Sequence, residues 1–305
     1  MPQNPCRYTK KALSIDEQLS LLKSRKLIVN DPDRVCRYLR FIGYFRLSKY
    51  FAIFQKSFDP NPQFKPDTTF DDILDVYIFD RRLRLLIMDA IERIEVAVRA
   101  TISNTMSVHS GGHWYLDRKH FRESYNYNVL KKKIEFETGL ENSTRRNESC
   151  KHYYETYNDP PLPPSWIVGE VLPIGSWSRI YDNLRTIKLQ KNISKEFGMQ
   201  PKVMVSWLRS ITYLRNLCAH HARIWNRKFT ITPIVAKEYK ELLKDNQYFF
   251  AQAVIINVFL TKIANNPRWQ LRLLSLFKEY PKINTSLMGF PSDWTSNPFW
   301  KIKVF

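Results

Sequence analysis

The feature that most constrains the fold is a long run of apolar residues with helical spacing, between about Asp71 and about Met106. The residues that recur along it are Leu74, Ile78, Leu85, Met88, Ile91 and Val98. Because residues three or four apart share one face of a helix, this spacing predicts a single long amphipathic helix. No sustained strand alternation and no internal repeat occurs elsewhere, so we predict an all-α protein.

Helix signals also occur on both sides of this segment. Ser14-Ile15-Asp16-Glu17 is a capping box, and Asp31-Pro32-Asp33 opens a second helix that is predicted to continue through Tyr50. Later helices are predicted near Trp166, over residues 201–222 and over residues 251–263.

Other stretches predict connections. Residues 56–69 are rich in proline and polar residues, and residues 120–157 are charged and tyrosine-rich, which favours a mobile surface region over a helix. We therefore expect an N-terminal helical region over residues 1–60, a helical core over 66–265 and an irregular aromatic tail over 266–305.

Charge points to a polyanionic partner. The chain has 48 Lys and Arg against 29 Asp and Glu, a formal charge of +19. This balance is typical of proteins that bind a phosphate backbone, although a basic protein with no such partner remains the alternative. The 8 glycines form neither a G-x-G-x-x-G nor a P-loop motif, so no nucleotide cofactor is expected.

Cysteine and histidine spacing argues against a metal site. The four cysteines form no C-x-x-C pair, and the spacings of His109, His113 and His120 match no standard zinc site. The longest apolar run, residues 249–260, is too short to span a bilayer. We expect that the protein binds no metal, has no membrane role and is located in the reducing cytoplasm.

The candidate catalytic residues lie in Arg215-Asn216-Leu217-Cys218-Ala219-His220-His221. Arginine grips phosphate, and imidazole moves protons near neutral pH. Together they suit attack of an RNA 2′-hydroxyl on its own phosphodiester, which needs no metal. Asn216 and His220 are four residues apart, so the amide is expected to orient the imidazole or, alternatively, the phosphate. His221, nearer the apolar side, either packs in the core or assists.

Position on the helix favours this Arg–His pair over chance. At about 100° per residue, Arg215 falls inside the apolar stripe of its helix, so it is expected to be buried, and a buried guanidinium must be paired or functional. The structural alternative is an ion pair with Glu92 or Glu95, although Glu95 and Arg99 are themselves spaced for an ion pair. Arg145 and Arg146 form a second match with His152, interpreted as coincidence in a solvated loop.

Basic residues near the motif are candidates for RNA binding. They are Arg223, Arg227 and Lys228 after the helix, and the triplet Lys131, Lys132 and Lys133. Trp225 could stack on a base. An ordinary basic helix exit explains the first group equally well.

Eight stretches, taken together, give the chain a resemblance to the AbiD/AbiF-like abortive-infection (Abi) proteins of bacteria, within the HEPN class of helical ribonucleases. They are IGYFRLS at 42–48, FDRRLR at 79–84, IEVAVR at 94–99, HY at 152–153, PPSW at 163–166, LRNLCAHH at 214–221, RIWNR at 223–227 and GFPSDW at 289–294. The chain departs from these relatives at LPIG, residues 172–175, where they usually have a Ser-Phe-Gly-like turn.

The resemblance implies a HEPN-like helical bundle in which Arg215, Asn216 and His220 match the family's catalytic signature. It also implies a homodimer in which two copies of the motif form one RNA-cleaving site, and a toxic activity that arrests phage-infected cells. Some relatives are encoded beside a small structured RNA, so the resemblance also implies a non-coding RNA as a partner. We therefore expect a metal-independent endoribonuclease. The alternatives are a non-catalytic protein that holds a structured RNA and a DNA-binding regulator, for which no helix-turn-helix signature stands out.

Overall fold

The computed structural model describes residues 11–56, 62–264 and 268–301. Within these ranges the chain is 65% helical, with twelve α-helices and only three isolated β-bridges. The predicted all-α class is confirmed. The helices are α1 Ile15–Ser24, α2 Pro32–Phe41, α3 Tyr44–Ser48, α4 Phe70–Ser110, α5 Tyr127–Thr138, α6 Glu148–Thr156, α7 Ser165–Val171, α8 Ile174–Asp182, α9 Ile187–Glu196, α10 Pro201–Ala219, α11 Phe249–Ile263 and α12 Trp269–Glu279.

The chain divides into two compact units, Met1–Arg82 and Leu83–Phe305. In the first, the predicted capping box is present: Ser14 Oγ accepts from the Glu17 N–H, and the Glu17 carboxylate accepts from the Ser14 N–H. The second predicted helix is wrong in its length, because α2 ends at Phe41 and Gly43 takes a left-handed φ of 89° before α3 begins. Residues 57–61 of the predicted connection lie outside the described residues, and residues 62–69 are not helical.

Helix α4 confirms the long predicted helix and extends from the first unit into the second. The predicted apolar stripe is only partly buried, since Leu85 is 59% exposed. Within the second unit the buried apolar positions of α4 are Leu83, Leu86, Ile87, Ala90, Ile91, Ile94, Val98, Ile102 and Met106. Their spacing of three and four residues presents one continuous apolar face to the second unit's core.

The segment 120–157 is not irregular as predicted, since it contains α5 and α6. Asn126 caps α5, and Leu130, Ile134 and Thr138 recur every four residues as its buried face. Asn147 caps α6 in the same way. Polar composition hid these helices because each buries only a narrow stripe, and helix formation depends on that stripe and the caps.

Helix α11 is buried on all sides from Phe249 to Leu260, so it forms the centre of the second unit. The predicted irregular tail is wrong over Trp269–Glu279, which is α12. After α12 the chain continues in short 3₁₀ turns whose aromatic rings pack together; Phe290 lies 4.9 Å from Trp294 and 5.1 Å from Phe277, centroid to centroid. Among the described helices, none combines the length and apolarity needed to cross a membrane.

Candidate functional site

Helix α10 positions the candidate catalytic residues. It begins with Pro201 in its first turn, where a missing N–H costs nothing. Its buried residues are Met204, Trp207, Leu208, Ser210, Ile211, Leu214 and Cys218. Arg215 lies beside this face and is half-buried, so the prediction that it is buried is wrong. The guanidinium is therefore placed at the boundary between the core and an open surface.

The end of α10 is formed by the two motif histidines. The helix stops at Ala219, three residues earlier than predicted, and His220 is its C-cap. His221 follows with a left-handed φ of 54°. The His221 N–H donates to the Cys218 C=O at 3.0 Å, and the Ala222 N–H donates to the Leu217 C=O at 2.8 Å. This is a Schellman motif, in which both terminal carbonyls are satisfied by backbone.

Both histidines are exposed at this helix end. Of the two roles predicted for His221, packing in the core is therefore wrong, and assistance in the reaction stays a prediction. The left-handed backbone places the two residues where the chain turns away from α10, and a non-glycine residue there costs about 1 kcal/mol.

We expect His221→Gly to be more stable than His221→Ala by about 1 kcal/mol, because only the alanine Cβ is strained at this φ. Both variants lack the imidazole, so their difference in free energy of unfolding, measured in urea, isolates the backbone. At Ala219, inside the helix, the order should reverse: Ala219→Gly should be less stable than the unchanged chain. Equal stability of the two His221 variants would contradict the left-handed conformation.

Asn216 links the arginine to the helix end. The Arg215 Nη1 donates to the Asn216 Oδ1 at 3.4 Å, and the Asn216 C=O accepts from the His220 N–H at 3.0 Å. The Asn216 side chain thus contacts the guanidinium. The predicted role of orienting the His220 imidazole would require a contact with that ring, and the hydrogen bond from His220 is made by its backbone N–H. Within the described part of the chain, Arg215 forms no ion pair.

Neither glutamate proposed as a structural partner of Arg215 pairs with it in the described chain, since Glu92 is exposed and Glu95 has another contact. Glu95 Oε1 accepts from the Ile174 N–H at 2.8 Å, at the first turn of α8. Arg99 pairs with Glu170 at 3.2 Å, so the predicted Glu95–Arg99 pair does not form. A carboxylate at a helix N-terminus is favourable because it faces the exposed N–H groups. Glu95 therefore fixes α8 and leaves Arg215 available.

Arg215 and Asn216 line an open cavity of about 580 Å³ in the second unit. Its walls come from α5, α8 and α10, with the lining residues Lys133, Pro173, Ile174, Gly175, Ser176, Ser178, Arg179, Arg209, Thr212, Tyr213, Arg215, Asn216 and Ile231. The ionisable side chains among them are cations and one tyrosine. This cavity has the size of a small-ligand site and the charge of an anion site.

Two walls of the cavity approach closely at Gly175. A Cβ built on Gly175 would lie 3.1 Å from Thr212 Cγ2, so a larger residue here would require the neighbouring atoms to shift by a few tenths of an ångström. The neighbouring Ser176 is 2% exposed, and its Oγ has no hydrogen-bond partner in the described chain. The buried Thr212 Oγ1 is likewise without one. A buried hydroxyl without a hydrogen-bond partner lowers the stability of the fold. Such groups are expected where a bound ligand or water supplies the missing hydrogen bond.

Two further side chains of the cavity, Lys133 and Tyr213, have pKa values shifted by their surroundings. Burial, and then the positive charge of Arg179, lower the pKa of Lys133, against an opposing effect of Glu137. Burial alone would raise the pKa of Tyr213, but hydrogen bonds with Thr230 and Arg227 and the charge of Arg227 together lower it. Tyr213, Arg179 and Ser176 were not identified from the sequence, because no local pattern signals which helices meet.

The residues predicted to bind RNA are distributed over several surfaces. Lys133 lies in the cavity with Arg215, whereas Lys132 lines a separate cavity of about 500 Å³, and Lys131 is exposed with Glu135 3.9 Å away. Lys228 is exposed, and Arg227 Nη1 donates to the half-buried Arg223 backbone at 3.4 Å. The basic triplet is therefore not one binding surface.

Trp225 does not offer a stacking surface. It is 1% exposed, so the interpretation that it could stack on a base is wrong. Its indole belongs to the core beyond the end of α10. The buried position assigns the tryptophan to packing of the core.

The second Arg–His match has a structural explanation. Arg146 Nε donates to the Gly139 C=O at 2.8 Å, at the end of α5, and its guanidinium lies 4.3 Å from the centroid of the Tyr154 ring. The Arg145 guanidinium lies 3.9 Å from the Phe136 ring centroid, and His152 is exposed. These arginines contact residues of α5 and α6 and of the segment between them, and His152 lies on α6, so the prediction that this match falls in a solvated loop is wrong.

Comparison with known proteins gives a family match that contains this site. Residues 37–226 match the family model described as Abi-like protein, which is well over half of the chain. The matched region includes all of α10 with His220 and His221, and the helices that line the cavity. Neither the curated proteins nor the solved structures gave a match.

Proposed function

The chain belongs to the Abi-like protein family, which suggests an abortive-infection role in phage defence, and from this premise we propose that it is a metal-independent endoribonuclease. One observation carries the proposal: Arg215, half-exposed and without an ion pair in the described chain, lines an open cationic cavity and is followed by exposed histidines at the end of its helix. Neither His220 nor His221 lines that cavity, so the proposal requires the RNA to extend from the cavity to the helix end, where an imidazole can transfer protons.

The proposed reaction assigns a role to each residue. Arg215 binds the scissile phosphate and stabilises the charge that develops on its oxygens. A histidine accepts the 2′-hydroxyl proton as that oxygen attacks phosphorus, and a histidine protonates the departing 5′-oxygen. Asn216 holds the guanidinium in place. The products are a 2′,3′-cyclic phosphate and a 5′-hydroxyl.

We further propose that the active species is a homodimer. The two proton transfers require one group that accepts and one that donates, and a pair of chains supplies His220 twice. Exposure of both histidines at a helix end is compatible with a second copy facing them. This arrangement is the one found in HEPN ribonucleases, which the motif resembles.

Cleavage of single-stranded RNA by the purified protein in excess EDTA tests the proposal. We expect undiminished cutting, with 5′-hydroxyl ends and cyclic phosphates identified by end-group analysis, because no step uses a metal. A matched substrate with 2′-O-methyl groups at every position should remain intact, since its nucleophile is blocked.

RNA binding without cutting would instead favour the second candidate, a protein that holds a structured RNA. The formal charge of +19 supports that function as well as catalysis. Sequencing of RNA that copurifies with the protein would then identify the partner.

A further inference from the structure

We propose that the part of the cavity formed by Lys133, Arg179 and Ser176 is a second phosphate subsite, which takes the phosphodiester next to the scissile one. The inference rests on the proposed function, because Arg215 defines where the scissile linkage lies. It adds a substrate class: a single RNA strand that continues past the cut and enters the cavity.

The charges of the cavity favour a bound anion. Arg209 is neutralised by Asp182, whose Oδ2 accepts from Arg209 Nη2 at 2.5 Å. Lys133 and Arg179 form no ion pair within the described chain, although each lines the same cavity as Arg215. The repulsion between Lys133 and Arg179 is a cost in the free protein. A phosphate between them would remove that cost and attract both cations.

The hydroxyl of Ser176 gives an independent reason for a ligand. It is a nearly fully buried side chain that lines the cavity, and its Oγ is without a partner in the described residues. A serine hydroxyl is a good donor to a phosphate oxygen. Ser176 lies in the first turn of α8, where the Glu95 carboxylate already accepts from the Ile174 N–H and the Ser176 N–H donates to the Pro173 C=O, so the contact that Ser176 offers to a ligand is its hydroxyl.

Volume and lining fit one nucleotide unit. About 580 Å³ is enough for a phosphate with its sugar and base, and Pro173, Ile174 and Ile231 supply apolar surface beside the cations. Because Arg215 lines the same cavity, a phosphate held there can belong to the same strand as the one at Arg215.

Two neighbouring lysines on α5 provide a matched test. Lys133→Gln and Lys132→Gln each remove one positive charge, but only Lys133 lines this cavity. The probe is a fluorescent, mixed-sequence 2′-O-methyl RNA octamer, which cannot be cut, and the measurement is its dissociation constant in EDTA. We expect about a tenfold loss with Lys133→Gln and less than about a twofold loss with Lys132→Gln. Equal losses, or none, would overturn the subsite.

Ser176→Ala separates a ligand contact from a structural role. We expect about a threefold to tenfold weaker octamer binding with an unchanged melting temperature, since the hydroxyl has no partner to lose in the free protein. A lower melting temperature with unchanged octamer binding would assign Ser176 to the fold and overturn its part in the subsite.

Inorganic phosphate distinguishes the source of the anion. If phosphate raises the melting temperature of the unchanged protein but not of Lys133→Gln, while octamer binding is equal in both, the cavity takes free phosphate and the RNA subsite is overturned. Loss of octamer binding in Lys133→Gln supports the subsite even if the unchanged protein never cuts RNA. Cutting with no Lys133 effect supports only the nuclease.

Discussion

Replacing Arg215 with alanine should lower the rate of RNA cleavage by about 100- to 1,000-fold, the usual cost of losing one group that stabilises transition-state charge. His220→Ala should lower it by about 100- to 10,000-fold through loss of proton transfer. Single-turnover cleavage of an end-labelled RNA measures both. Melting temperatures should stay within a few degrees, because Arg215 is half-buried without an ion pair in the described chain and His220 is exposed.

The chain contains its own control for this prediction. His152 follows Arg146 and Asn147 as His221 follows Arg215 and Asn216, yet it is an exposed residue of α6. His152→Ala should therefore cleave RNA at the unchanged rate. The loss of cleavage rate in the double variant Arg215→Ala, His220→Ala should not exceed the product of the two single losses, since the effects of residues that act in one step are not additive. Undiminished cleavage by this double variant would contradict the catalytic roles proposed for Arg215 and His220.

Mixed dimers test whether the site is shared between two chains. Heterodimers of one unchanged chain and one double-variant chain, isolated with two tags, should lose most activity if both motif copies contribute. Half the activity of the unchanged dimer would show instead that each chain cuts alone.

Trp225→Ala should lower the free energy of unfolding by about 3–5 kcal/mol, because a fully buried indole leaves a large cavity when it is truncated. Urea denaturation followed by circular dichroism measures the loss. Trp166, which is 55% exposed, supplies the comparison: Trp166→Ala should cost about 1 kcal/mol or less.

The same variant separates packing from RNA stacking. If Trp225 stacked on a base, its truncation would weaken RNA binding at temperatures where the protein is fully folded and leave unfolding unchanged. The buried position predicts the reverse, with RNA binding lost only as the fold is lost.

Sequence periodicity predicted the elements with strong local signals. The capping box at Ser14, the 41-residue α4 and the start of α10 each depend on residues a few positions apart. Segment 120–157 was wrongly predicted because its helices depend on caps and on burial of a narrow stripe. The helix predicted to continue through Tyr50 is interrupted at Gly43, whose φ is left-handed. The spacing of apolar residues carries no information about the φ of a single glycine.

The candidate site was predictable only along the chain. Arg215, Asn216 and the two histidines could be proposed from the sequence because they are close together along the chain, on one helix and its end. Their burial was misjudged for Arg215 and His221, since helical angles locate a face but not its edge. The convergence of Lys133, Arg179 and Ser176 on Arg215 depends on how α5, α8 and α10 pack, which no spacing within one segment encodes.

The close approach at Gly175 makes the cavity sensitive to a single methyl group. A Cβ at this position would lie 3.1 Å from Thr212 Cγ2, so Gly175→Ala requires the neighbouring atoms to shift by a few tenths of an ångström. Because Ser176 follows Gly175 directly and Thr212 lies one turn before Arg215 on α10, such a shift would alter the spacing between the two proposed phosphate sites without removing any charge.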